Sequence, residues 1–201
     1  NSYFRDMIKR WDIRGIYART REMLFHPETE WRAVKRENMN GTDVFRGYLI
    51  PLAVAGSVCT FLLQLLHTPP FYAFAIAAIT LVASVGGAYA TYRVSREYLT
   101  DKITEANEVA IRLSVYCSGI FIVFHCLSQG MPEGFLGQLT GLLSLLCLRT
   151  LYVGINQMGG LNVQLRKSTL VIVGLLLIVS PMIIQRLLVI IFRVPTITLN
   201  I

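Results

Sequence analysis

The chain has 201 residues, of which 54% are hydrophobic and only 15% are charged, and its formal net charge is +7. This composition excludes an ordinary soluble domain, because so few charged side chains do not cover the surface of a globular fold of this size. The positive charge does not call for a nucleic-acid partner, since a basic face against the anionic lipid of an inner leaflet accounts for it.

Residues 1–43 form a charged lead that we expect to be cytoplasmic. Residues 3–15 predict an amphipathic helix that ends at Gly15. Its apolar face comprises Tyr3, Phe4, Met7, Ile8 and Trp11. A basic polar face opposite an aromatic apolar face is typical of an interfacial helix, so we expect Phe4, Ile8 and Trp11 to anchor the lead at the membrane surface.

A second short helix is predicted for residues 27–36, PETEWRAVKR. Pro27, Glu28 and Glu30 favour the N-terminal end of a helix, and Lys35 and Arg36 favour its C-terminal end. Trp31 and Val34 share a face, so we expect the helix to lie flat with the Trp31 indole at headgroup level. The alternative is that these helices pack against the protein's own cytoplasmic loops or a partner subunit.

Five long apolar windows follow the lead: residues 44–66, 71–93, 109–129, 135–158 and 169–192. At about 1.5 Å per helical residue, each can cross a hydrocarbon core roughly 30 Å thick. We therefore predict an all-α, polytopic integral membrane protein. Its five transmembrane helices are preceded by short interfacial helices and followed by a short extracytoplasmic tail over residues 193–201.

The orientation is predicted from the basic residues near the ends of these windows. The lead is rich in Lys and Arg, and the second and fourth connections contain Arg93, Arg96, Lys102, Arg166 and Lys167. The first and third connections contain no Lys or Arg. Because basic residues stay on the cytoplasmic side, we expect a cytoplasmic N-terminus and an extracytoplasmic C-terminus. No cleaved signal is expected, although the sequence does not begin with Met.

Small residues and prolines predict how the spans pack. Gly86 and Gly87 in the second span, and Gly137 and Gly141 in the fourth, offer small faces that let helices approach closely. Pro51 and Pro181 predict kinks in the first and fifth spans, which we attribute to packing rather than to hinges.

Arg149 lies deep in the fourth span, nine positions before Met158. An Arg at such a depth costs about 3 kcal/mol on insertion scales. We therefore expect Arg149 to face the bundle interior and to pair with Glu108 or a backbone carbonyl, with Arg112 as a competitor for Glu108. The alternative is an anion site or a partner site.

Reactive groups are sparse in this sequence. The four cysteines, Cys59, Cys117, Cys126 and Cys147, are widely separated inside apolar spans, which favours buried hydrophobic positions over a metal site. Ser118 and His125 share a face, but no Gly-x-Ser-x-Gly motif or nearby carboxylate accompanies them, which argues against a serine hydrolase. We predict no catalytic residue, no cofactor and no metal, and hence no enzyme.

Five short stretches together resemble a known family: Pro27-x-x-x-Trp31, YLIPL (48–52), GGAYATY (86–92), AIRLSVYCSG (110–119) and LRTLYVGI (148–155). The chain is similar over residues 22–192 to the Yip domain family of five-span membrane proteins that interact with Rab/Ypt-type GTPases. It looks most like the bacterial members, because the eukaryotic ones usually carry a longer N-terminal region. The resemblance implies a five-helix bundle with a cytoplasmic N-terminus.

Three classes of function remain open at this stage. The favoured one is a non-enzymatic scaffold or accessory subunit of a membrane complex, with a protein partner and the lipid bilayer as its contacts. A small-solute or ion transporter is the alternative, with Gln64, Gln129, Gln138 and Asn156 as candidate lining residues. A trafficking protein that recruits small GTPases is the second alternative. We expect the bacterial inner membrane as the location, with the ER or Golgi membrane as the alternative.

Overall fold

The computed structural model describes residues 13–37, 40–131, 135–158 and 162–194, and this part of the chain contains helices and no β-strand. In chain order the helices are α1 (Ile13–Phe25), α2 (Pro27–Arg36), α3 (Gly41–Gln64), α4 (Pro70–Thr100), α5 (Ala106–Gly130), α6 (Phe135–Leu143), α7 (Leu146–Met158) and α8 (Val163–Phe192). Five segments are long and apolar enough to cross a membrane: α3, α4, α5, α6 with α7, and α8. The prediction of an all-α protein with five candidate membrane spans is confirmed.

Helix α5 forms the centre of the bundle. Every residue in 109–122 is buried, because α3, α4, α6 and α7 pack around this helix and α8 touches it as well. Each outer span buries one face and exposes the other. On α8, for example, Leu175 and Ile190 are exposed. Apolar side chains exposed along such long helices fit contact with lipid rather than with water.

The two ends of the bundle differ. Helices α1 and α2, here called the hairpin, pack on the end where α5 starts and α7 finishes. We call this the hairpin end, and the opposite one the far end. The finish of α4 and the start of α8 also lie at the hairpin end, since α4 leads directly into α5 and α8 directly follows α7. Tyr98 donates a hydrogen bond to Ser168 (2.8 Å) across these two helices.

The prediction that a helix stops at Gly15 is wrong. Within the described residues, helix α1 runs from Ile13 through Gly15 to Phe25. A glycine inside a helix costs only about 1 kcal/mol relative to alanine, and burying Ile16 and Met23 on one face of α1 offsets that cost. The predicted anchors Phe4, Ile8 and Trp11 lie outside the residues that the structure describes.

The two prolines in the spans are accommodated differently. Ahead of Pro51 the helix widens into a π-helical turn over Phe45–Leu49, which fits the missing N–H of proline. Pro181 lies inside α8, which continues on both sides of it. The fourth span is interrupted at Ser144 and Leu145, so that α6 and α7 are separate helices.

Gly87 sets the closest approach between α4 and α8. A Cβ atom at this position would lie 2.8 Å from the Cα, Cβ and Cδ atoms of Pro181, whereas a Cβ at Gly86 would meet only Ile184 Cδ1 at 3.4 Å. The absence of a side chain at Gly87 therefore allows the backbones to come together at the proline.

Glycines also line the contact between α5 and α6. A Cβ at Gly137 would collide with the carbonyl of Met131, and one at Gly141 would lie 3.3 Å from Ser128 Oγ. The Ser128 hydroxyl donates a hydrogen bond to the Gly137 carbonyl (2.9 Å). These contacts fix α6 against the far end of α5.

Candidate functional site

Trp31 is a core residue of the interface between the hairpin and the bundle. Its side chain is fully buried, its Nε1 donates to the Thr150 carbonyl (3.0 Å), and its ring meets Tyr116 edge-on (5.8 Å between centroids). Gly154 forms the floor beneath it, since a Cβ there would lie 2.7 Å from the indole. The prediction of Trp31 as a membrane-interface anchor is wrong, because the apolar face of α2 packs on α7 instead of lipid.

Arg19 joins the hairpin to α5 through several groups. Its Nη atoms donate two bonds to the carboxylate of Glu37 (2.8 and 2.9 Å), and its Nε lies 2.8 Å from Glu30 Oε1. The guanidinium lies 5.2 Å from the ring centroid of Tyr116 and donates to its hydroxyl (3.3 Å). Only 8% of the Arg19 side chain is exposed, so these contacts are shielded from solvent.

The pKa values of Arg19 and Glu30 reflect this shielding. Burial acts to lower the pKa of Arg19, but Tyr116, Glu37 and Glu30 outweigh it, and the pKa is raised. Burial raises the pKa of Glu30 above 4.5, against the pull of Arg19 and with a further rise from Glu37 and Glu22. Arg19 therefore stays charged, while burial disfavours the charged form of Glu30.

Arg112 connects α5 to the C-terminal end of α2. It donates to the carbonyl of Val34 (2.9 Å) and to the carbonyl of Glu37 (2.9 Å), and it pairs with Glu108 Oε2 at 3.2 Å. A cation at this end of a helix satisfies carbonyls that lack partners within the helix and complements the helix dipole. Together with Arg19, Glu30, Glu37 and Glu108, it forms what we call the charged cluster.

Arg149 is absent from the charged cluster. The buried face of α7 consists of Cys147, Thr150, Leu151, Gly154, Ile155 and Met158. Arg149 is exposed on the other side of α7, and Glu108 pairs with Arg112 instead. The prediction that Arg149 faces inward toward Glu108 is wrong, because the small and apolar residues of α7 occupy the inward face.

An open cavity of about 270 Å³ adjoins the charged cluster at the hairpin end. Its charged lining comprises Lys35, Arg36, Glu37, Glu105, Glu108 and Arg112. Three carboxylates and three basic groups balance each other there, so the cavity has no net charge to select an anion or a cation.

A second polar group lies toward the far end. His125 Nε2 is 2.9 Å from Gln185 Oε1, and Gln185 Nε2 donates to Gln129 Oε1 (2.9 Å). Gln64 donates to the backbone carbonyl of Gln129 (2.6 Å). The chain of contacts ties α3, α5 and α8 together and leaves these polar groups mutually satisfied.

The other predicted candidates are dispersed. Gln138 and Asn156 are exposed on α6 and α7, and no hydrogen bond joins them to the far-end group among the described residues. Ser118 is buried, and the four cysteines are free thiols. Over the ranges that the structure describes, no three His, Cys, Asp or Glu side chains come together as metal ligands would.

The sequence interpretation missed Arg19, Glu37 and Tyr116. Arg19 does carry a detectable signal, because it shares a helical face with Ile16 and Met23, and a charged residue within an apolar stripe indicates a buried ion pair. Glu37 and Tyr116 carry none, since their roles depend on which helix packs against which.

The match to a family model covers most of this architecture. The model of the Yip1 domain matches residues 21–184, which include α2 and all of α3 to α7. No curated protein and no solved structure matches the chain. The matched segment contains Glu30, Glu37, Glu108 and Arg112 of the charged cluster, and it begins two residues after Arg19.

Proposed function

The chain belongs to the Yip1 domain family, and from that premise we propose that it is a non-enzymatic scaffold or accessory subunit of a membrane complex. The family is linked to membrane trafficking and is not a known family of enzymes. In this proposal the five spans hold the protein in the bilayer, and the hairpin forms a fixed platform at the surface for a protein partner.

The observation that supports this function most is the rigid attachment of the hairpin. Two arginines from different elements, Arg19 and Arg112, hold α2 on α5, while Trp31 fills the gap beside α7. Buried charge pairs of this kind fix one geometry, because any shift leaves a charge without its partner. A segment held by several buried contacts presents a preorganised outer surface, as a docking platform requires.

The outer surface of the hairpin has the composition of a protein-binding face. Its exposed side chains include Tyr17, Arg21, Phe25, Arg32 and Arg36. Aromatic residues and arginines are enriched in protein interfaces. We place this face in the cytoplasm of a bacterial cell, with the bundle in the inner membrane and the ER or Golgi membrane as the alternative, because basic residues concentrate at the hairpin end.

The proposal is tested by purifying the tagged full chain from native membranes in mild detergent. We expect the double variant Arg21→Glu/Arg32→Glu to lose a protein that co-purifies with the wild type. Gly154→Ala should lose the same protein, because its new Cβ meets the Trp31 ring at 2.7 Å and displaces the hairpin. Leu175→Ala, on the exposed face of α8, is the matched control and should retain it.

The outcome also separates the alternatives. We call Arg21→Glu/Arg32→Glu and Gly154→Ala the hairpin variants, since both alter the hairpin or its seat. If both retain every co-purifying protein, the proposed platform is rejected. Recovery of a small GTPase as the lost protein would support the trafficking alternative. Solute flux through liposomes that is abolished by Gln185→Leu would support a transporter, since Gln185 bridges His125 and Gln129 in the far-end polar group.

A further inference from the structure

Arg149 lies at the middle depth of the bundle. Two contacts fix the antiparallel register of the fourth span against α5: Gly154 is beside Leu113, and Gly141 is beside Ser128. Arg149 falls between these contacts and is therefore level with the centre of α5, which runs from residue 106 to residue 130. Its side chain is exposed there, and among the described residues it makes no hydrogen bond or ion pair.

The direction of α7 makes escape to the membrane surface difficult for this side chain. Met158, at the hairpin end, is nine residues away, or about 13 Å along the helix. Side chains leave a helix pointing toward its N-terminus, which for α7 is the far end. The Cα–Cβ bond of Arg149 is thus directed away from the nearer surface, and a lipid phosphate there is a poor partner for its side chain.

We propose that the exposed side of α6 and α7 binds a transmembrane helix of another protein that carries an Asp or Glu at the depth of Arg149. The surface around this charge is apolar and includes an aromatic ring: Leu142, Leu145 and Tyr152 are all exposed beside it. A carboxylate from a neighbouring helix would neutralise the guanidinium where lipid tails do not. This inference rests on the proposed scaffold function and names the chemistry of its partner within the membrane.

A second copy of the chain is a poor occupant of this surface. The described residues of α6, α7 and α8 contain no Asp or Glu, and the acidic residues of α3, α4 and α5 lie near the hairpin end. A symmetric dimer through this face would instead bring two copies of Arg149 together. The charge on this surface therefore favours a different protein.

The test uses a defined peptide instead of an unknown partner. The full chain is labelled and placed in phosphatidylcholine vesicles with membrane-spanning Leu/Ala peptides of about 21 residues that carry Glu, Gln or Leu at the centre. Association is measured by energy transfer at pH 8. We expect the Glu peptide to associate at least about tenfold more tightly than the Leu peptide, and Arg149→Leu to abolish that difference.

A matched variant checks that the surface matters as well as the charge. Gly174, next to Leu175, faces Leu148 and Leu151, so Leu175 lies at nearly the depth of Arg149 but on the exposed face of α8. The double variant Arg149→Leu/Leu175→Arg moves the charge to that face, and we expect it to show no preference for Glu. Thermal unfolding of each variant confirms that the bundle is intact.

Three results would overturn the inference. They are equal association of the three peptides, an undiminished Glu preference in Arg149→Leu or in the double variant, and self-association of the chain that depends on Arg149. If one of them occurs while the hairpin variants still lose their co-purifying protein, the scaffold function stands and only the intramembrane surface is rejected.

Discussion

Glu37 is the residue on which both arginines of the charged cluster converge. Its carboxylate accepts two bonds from Arg19, and its backbone carbonyl accepts one from Arg112. We expect Glu37→Gln to weaken hairpin docking by about 2 kcal/mol, because it removes charge-assisted bonds and leaves Arg19 partly uncompensated. Faster hydrogen exchange of α1 and α2 amides, with unchanged exchange in α5, is the expected result. Equal protection of the hairpin in the variant and the wild type would contradict it.

Glu30 gives the charged cluster a dependence on pH. Because burial raises its pKa above 4.5 in the docked state, the docked hairpin takes up a proton at a higher pH than the released one. The contribution of Glu30 to docking therefore grows as the pH falls from neutral through the raised pKa toward 4.5, and it diminishes as the pH rises. A dye pair on α1 and α8 would report the temperature of hairpin release across this range.

Glu30→Gln isolates this contribution. The variant keeps a neutral side chain at the same place beside Arg19 and no longer titrates, so we expect a flatter pH profile than that of the wild type. It should also dock better than Glu37→Gln at neutral pH, since Arg19 retains both of its bonds to Glu37. Identical pH profiles for Glu30→Gln and the wild type would assign the dependence to another group.

Individual side chains were the part of the molecule that sequence patterns predicted least well. A helical stripe shows that Trp31 and Val34 share a face, but lipid and a protein groove are both apolar, and the stripe does not distinguish them. Arg149 shows the opposite error. A buried partner was expected because a charge in the membrane is costly, but small and apolar residues occupy the inward face of α7. In both cases the missing information is which helix lies opposite.

At the scale of elements, the contact between α4 and α8 depends on one glycine. Gly87→Ala would place a Cβ 2.8 Å from three atoms of the rigid Pro181 ring and backbone, so the two helices must separate. We expect a loss of about 1–3 kcal/mol in stability, measured as a lower unfolding temperature in detergent micelles. Gly86→Ala is the adjacent control, because its Cβ meets only a flexible isoleucine tip at 3.4 Å. Helix propensity favours alanine equally at the two positions, so a loss of equal size in both variants would contradict the role of the close approach.

The spans themselves were largely predictable, because crossing a bilayer requires a length and an apolar composition that few other folds share. The interruptions within the spans were harder to predict. Ser144 and Leu145 split the fourth span although neither is a strong helix breaker, and the Ser144 hydroxyl bonds the carbonyl of Gly141 (2.6 Å) at that point. Side-chain bonds of this kind compete with the helical pattern locally, and composition gives no sign of which serine will form one.

At the scale of the whole molecule, the two ends of the bundle differ in both packing and charge. The hairpin end contains the charged cluster and the mixed-charge cavity. The far-end group contains only neutral amides and a histidine, which join three spans without any ion pair in its network. A bundle closed at one end by charges and tied toward the other by amides is suited to a fixed orientation in the membrane.

The distribution of basic residues predicts which end of the bundle faces the cytoplasm. The hairpin end carries Lys102 after α4, and Arg166 and Lys167 at the start of α8, together with the basic residues of the hairpin. The first and third connections carry no Lys or Arg. Arg186 and Arg193 are the exceptions, toward the far end of α8. Because the excess of basic residues governs which side stays in the cytoplasm, we expect the hairpin end to face it. A periplasmic reporter fused after residue 201 should be active, and one fused near residue 163 inactive; the reverse pattern would contradict the orientation, and activity at both sites would contradict the fifth span.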